Sequence, residues 1–134
     1  MRTRPCDAAM ASARLAKAKQ FHSAAETIRE LADDEEDIGD AFVTLCVHAG
    51  IAAADAICCT ALGEHAQGES HTDAVALLQR VRPDGKGLGS ALDVLLAMKT
   101  RAGYSAQPVT AEMRKRAQRS AEKLLDAAKA RVSA

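Results

Sequence analysis

The chain has 134 residues, enough for one hydrophobic core and too short for two of comfortable size, so a single domain over 1–134 is expected. Hydrophobic residues make up 48%, yet 30 residues are alanine and Phe21, Phe42 and Tyr104 are the only aromatics, which argues against strands and for a thin helical core. The formal net charge is zero and no aromatics interleave the basic residues, which argues against a base-stacking nucleic-acid surface.

Helix one is predicted over about residues 7–33, where Ala11, Leu15, Ala18, His22, Ala25, Ile28 and Ala32 recur at three- and four-residue steps. The run ADDEEDIGD that follows carries six acids in nine residues. Acids at a helix C-terminus oppose the dipole, so a solvated loop is expected, with Asp40 capping the next helix. Helix two is predicted from about Ala41 to Leu62, stopped by Gly63. Its circumference is apolar nearly all round, which makes it either a central helix or one that meets a second copy of the chain, and a homodimer is the default expectation.

Helix three is predicted over about residues 71–81, with Ser70 and Asp73 as a capping pair. The stretch RPDGKGLG then reads as a break, because Pro83 and the glycines at 85, 87 and 89 offer little to pack. It lacks the spacing of a phosphate-binding loop. Helix four is predicted from about Ser90 to Ala102, and helix five from beyond Thr110 to about Val132, basic on its outer face. No internal repeat is present. The fold class expected is all-α, an antiparallel four- or five-helix up-down bundle.

Charge is segregated along the chain: no lysine or arginine occurs between Glu30 and Gln79, a span with eleven acids, while residues 1–29 carry +4 and residues 80–134 carry +7. Neighbouring helices of opposite charge explain this better than a nucleic-acid surface does, since no aromatics interleave the basic residues. Cys6, Cys46, Cys58 and Cys59 lack C-x-x-C spacing and read as buried thiols. The N-terminus has no uninterrupted apolar core of a leader, and Asp55 interrupts the longest apolar stretch short of the roughly 20 residues of a membrane span. A reduced, cytoplasmic protein with no membrane association is expected.

Few residues offer chemistry. His48 and Asp55 lie about 20° apart around helix two and roughly 10 Å apart along it, so they cannot touch, but with Thr44 they form its one polar strip. His22 reads as a core histidine with a satisfied partner. His65 and His71, in GEHAQGESH, lack a matched ligand set, so no metal is expected. No cysteine has a basic neighbour to activate it. At the end of helix four, Lys99 and Arg101 complement the dipole and Gly103 closes the helix, which leaves Tyr104 to be explained in a chain that otherwise avoids aromatics.

The segments VHAGIAAADAICCTALGEH, DAVALLQRV and ALDVLLAMKTRAGYS, with the basic last helix, resemble HEPN domains of the small stand-alone actinobacterial type over most of the chain. The resemblance implies a helical bundle, commonly homodimeric, in a nucleotide- or RNA-associated superfamily. Many members are metal-independent ribonucleases with an R-x(4–6)-H motif, and several act in toxin–antitoxin or defence systems. Here no arginine has a histidine at that spacing; Arg14 and His22 have seven residues between them, and Gly103 stands where the family histidine would be. Glycine transfers no proton, so the family's acid–base step has no agent.

The expectation is therefore a non-catalytic HEPN-like protein, without a cofactor, whose polar cleft binds a nucleotide, RNA or another anion. Its candidate ligand-binding residues are Lys99, Arg101, Tyr104, His48 and Asp55. Two alternatives remain: a ribonuclease using a displaced histidine, His22 or His48, with Arg14 or Arg101, and an interaction module that docks a protein partner through the acidic 33–37 loop or basic helix five.

Overall fold

The computed structural model describes residues 1–68 and 70–132. It is a helical bundle: β1 (Thr3–Pro5), α1 (Ala8–Leu31), α2 (Gly39–Leu62), β2 (Glu64–Ala66), α3 (His71–Leu78), α4 (Gly85–Gly103) and α5 (Ala111–Val132). The mostly helical class follows from the alanine-rich composition, and α2 is its centre, touching every other helix. Phe42, Val43, Cys46, Val47, Ala49, Ala53 and Ile57 of α2 are all buried within one chain. The all-round apolar character of this helix is thus satisfied internally and supplies no argument for a second copy.

α2 is also long and apolar enough to cross a membrane, despite Asp55, which corrects the view that the stretch is too short. What marks it as a core helix is that 72% of the apolar stretch is buried against the rest of the fold. The arrangement is compatible with a soluble protein.

Two local signals act as expected, the Ser70 cap and the Gly63 stop. Ser70 caps α3 by accepting from the Asp73 N–H, while Asp7, accepting from the Met10 N–H of α1, and Thr110, accepting from the Met113 N–H of α5, are caps not singled out from sequence. Gly63 ends α2 at φ +72°, and its N–H donates to the Cys59 carbonyl.

Four expectations need correction. The acidic segment is not wholly irregular, because residues Glu35–Ile38 form a short 3-10 turn, capped by Asp34, that runs directly into α2. The helix consequently starts at Gly39, and Asp40, already inside it, is no cap; its carboxylate accepts from the Val109 N–H at 2.9 Å and fixes the approach to α5. α3 ends three residues early, at Leu78. The glycines at 85, 87 and 89 lie inside α4 rather than in a break. They are there for closeness: a Cβ at Gly85 would collide with the Gln79 carbonyl oxygen, and one at Gly89 would meet the Gln79 side chain at 2.6 Å.

The N-terminus was not foreseen as structured. β1 pairs antiparallel with β2, Thr3 opposite Ala66 and Pro5 opposite Glu64. Beside this ribbon Cys6 and Cys59 are joined in a disulfide, with their Cα atoms 5.4 Å apart. Only Cys46 and Cys58 are free thiols among the described residues. This corrects the reading of four free cysteines, and it removes the support that a fully reduced set lent to a reducing compartment. Chain order concealed the pair, because 53 positions separate the partners.

Candidate functional site

The α1–α2 turn brings the start of α2 beside the end of α4. There Thr44, Val47 and His48 of α2 face Lys99 and Gly103 of α4 and Tyr104 just beyond it, around a cleft of about 140 Å³. Thr44 and His48 are one helical turn apart, so they project to one side, and Lys99 and Gly103 repeat that spacing on the facing helix. The His48 ring lies 5.4 Å from that of Phe21 on α1, tilted by 32°, which limits its rotation. Tyr104 is 82% exposed, its phenol free of the core. Among the described residues Lys99 has no carboxylate partner within ion-pair distance.

Three of the five candidates from sequence thus line one cleft: His48, Lys99 and Tyr104. The other two stand elsewhere. Arg101 turns back on its own loop, donating from Nε and Nη2 to the Pro108 carbonyl at 3.1 and 2.8 Å, so it fastens the α4–α5 connection. Asp55 lies nearly two turns along α2 from His48, beside Arg14 of α1 at 3.9 Å.

Asp55 borders a different cleft of about 80 Å³, closed mainly by Ile51, Ala54, Leu77, Leu92 and Leu96. Burial raises its pKa above the ordinary carboxylate value, opposed by the positive charges of Arg14 and His65. An acid whose folded pKa is raised contributes stability while protonated, below its unfolded value, and loses that contribution as pH climbs through the folded value. Nearby Cys58 is pushed up to about 12, first by burial and then by the charges of Asp55 and Glu64, so it is no nucleophile at neutral pH.

His65, expected in a polar loop, is instead buried at 8% exposure in β2, with Nδ1 at 2.9 Å from the Ala66 carbonyl. His22 also departs from expectation. Its Nε2 is buried without a hydrogen-bond partner, so it is not a satisfied core histidine. Around it stand Glu26, one turn further on α1, and Glu122 of α5. Glu26 and Glu122 were not singled out from sequence; the His22–Glu26 spacing was available as a signal, whereas Glu122 has none.

Chemically, the α2–α4 cleft presents a cation, an imidazole, a hydroxyl and a phenol. It offers no carboxylate, and neither Arg14 nor Arg101 stands with His48. Compared with known proteins, the chain matches no family model and no curated relative.

Proposed function

We propose that the chain is a non-catalytic, HEPN-like binding protein that receives the phosphate of a nucleotide or short RNA in the α2–α4 cleft. The observation that carries this reading is Lys99, unpaired among the described residues, facing His48 and Thr44 across the cleft. An ammonium, an imidazole and a hydroxyl supply donors to phosphate oxygens, and charge-assisted bonds of this kind are the stronger class. The exposed Tyr104 ring at the rim is placed to stack on a base.

Absence of catalysis rests on positions already described. An arginine–histidine pair would have to work as acid and base around one phosphate, and the two candidate arginines are engaged with Asp55 and with the Pro108 carbonyl. Arginine at position 98, which with histidine at 103 would give the R-x(4)-H spacing, is closed off, since Met98 is buried at 4% exposure. Homodimerisation belongs to the same reading. With α2 enclosed, the exposed Asp93, Ala97 and Thr100 side of α4 carries it.

Thermal unfolding against inorganic phosphate, nucleotides and short RNAs tests the proposal, because selective binding to the folded state raises its midpoint. The expected result is a rise with phosphate-bearing ligands that is lost in Lys99→Ala and in His48→Ala and kept in Arg101→Ala. No rise with any of them overturns the binding role. RNA cleavage by the wild type, abolished in His48→Ala, overturns the non-catalytic assignment and establishes the displaced-histidine ribonuclease instead. The Cys6–Cys59 disulfide predicts two alkylatable thiols in protein quenched inside cells; four would show the pair reduced there and favour a cytoplasmic placement.

A further inference from the structure

Away from that cleft, three metal-ligating side chains converge from opposite ends of the sequence. His22 and Glu26 stand four residues apart on one face of α1, and Glu122 reaches them from α5. The ring nitrogen and one oxygen from each carboxylate all lie within 4.8 Å of one another. His22 Nε2 is 3.9 Å from Glu26 Oε1, too far for a hydrogen bond, and it has no other partner although it is buried. Buried polar atoms are nearly always paired, so an unpartnered imidazole nitrogen in a cluster with two carboxylates calls for an occupant.

We propose that His22, Glu26 and Glu122 bind a divalent transition-metal ion of the zinc type, tying α1 to α5 beside the central helix. The donor set favours this class. An imidazole nitrogen selects a first-row metal over magnesium or calcium, and two carboxylate oxygens balance its charge. Zinc bonds of about 2.0–2.2 Å set tetrahedral ligand atoms about 3.3–3.6 Å apart, so the donors must draw together by about 1 Å, within reach of side-chain rotation. His22 and Glu26 side chains are 24% and 23% exposed, which gives an ion a path from solvent without unfolding.

The surroundings hold the Glu26 carboxylate in place. Gln118 Nε2 donates to Glu26 Oε1 at 3.3 Å, and Arg29 donates to Glu26 Oε2 from Nη2 at 2.6 Å and from Nε at 3.2 Å. Such outer partners fix a ligating carboxylate and neutralise part of its charge. With Oε2 taken by Arg29, Oε1 is the oxygen turned toward His22. Three protein donors leave a fourth position for water. The site is separate from the phosphate cleft and does not depend on it.

The test is titration of metal-stripped, full-length protein with Zn²⁺ by calorimetry, with thermal unfolding alongside and Co²⁺ as a visible-spectrum probe. The expected result is one saturable equivalent, a midpoint that climbs with free Zn²⁺, and a cobalt spectrum of nitrogen and oxygen ligation. Glu122→Gln and His22→Gln each weaken binding by about tenfold or more at unchanged helicity, and His71→Ala leaves it alone. Absence of a saturable equivalent overturns the proposal. So does unchanged affinity in Glu122→Gln, which shows an adventitious ion only, held by loop histidines or thiols. Should His22→Gln fail to fold, the His22 ring resonances of the wild type decide: a shift on adding one equivalent of Zn²⁺ supports the site, and their indifference to it overturns the site.

Discussion

The turn that leaves α2 and the turn that enters α4 both depend on glycine, for opposite reasons. At Gly63 the backbone is left-handed, φ +72°, and nothing lies within 4 Å of where a Cβ would be. Space is free and conformation is the constraint. At Gly85 no positive φ is involved, but a Cβ would overlap the Gln79 carbonyl oxygen. Conformation is free there and space is the constraint. The first turn is also secured by other means: the Cys6 N–H donates to the Gly63 carbonyl at 2.9 Å, and Cys6 is bonded to Cys59. The second is held by close approach, with Lys123 to Asp84 at 3.4 Å and Arg131 on the Arg82 carbonyl at its margin. One residue type thus acts as a stop signal at one turn and as a spacer at the other.

The largest expected effect removes the covalent half of the contrast. Cys6→Ser releases a crosslink spanning 53 positions, and loop-closure entropy for that length implies a loss of about 4 kcal/mol in non-reducing denaturant titration. Adding reductant to the wild type should reproduce most of that loss and leave the variant unchanged. A variant as stable as the wild type would mean that the ribbon and cap secure this end unaided. Next comes Gly85→Ala, expected to lose about 3 kcal/mol because a backbone carbonyl, not a flexible side chain, must move. Gly50→Ala extends the comparison into a helix interior. Its methyl would press on Leu95 and Leu124, both fully buried, and the overpacking outweighs the gain in helix propensity, for a net loss of about 2 kcal/mol. Gly63→Ala should lose only about 1 kcal/mol, the cost of a left-handed residue with no clash added. Reversal of the Gly85 and Gly63 losses would break the distinction between spacer and stop.

That distinction also explains what could be read from the chain. The helical class, the Gly63 stop and the Ser70 cap are local, written in spacing and in residues that hydrogen-bond within three positions. The start of α4 was misplaced by several residues because glycine needed for close packing is indistinguishable, in one sequence, from glycine needed for a turn. Asp40 has a cap's chemistry but spends it on Val109, 69 positions away. Cys6 and Cys59, and likewise His22 and Glu122, meet only through the packing of helices remote in sequence. For the α2–α4 cleft, the Thr44–His48 strip and the Lys99–Tyr104 segment were each legible as polar breaks in apolar helices. Their juxtaposition was not, nor was the diversion of Arg101 to the Pro108 carbonyl.

Gly103 yields the smallest expected effect and the sharpest check on both ideas. It is the last residue of α4, has no positive φ, and a Cβ there would meet nothing within 4 Å. Neither stop nor spacer, it should accept alanine with a gain of about 0.5 kcal/mol, because the unfolded chain loses freedom that the folded chain does not use. Gly103 also borders the cleft with Lys99 and Tyr104, so the same variant adds one methyl to its wall. If phosphate docks between Lys99 and His48, a methyl at this rim leaves the cation and imidazole in place, and the ligand-induced rise in unfolding midpoint should persist on top of the higher baseline. Loss of that rise with the stability gain intact would move the ligand from the floor of the cleft to its Gly103 edge. Loss of stability would mean that the end of α4 is held in a conformation only glycine tolerates, and the sequence reading of Gly103 as a terminator would replace the geometry described here.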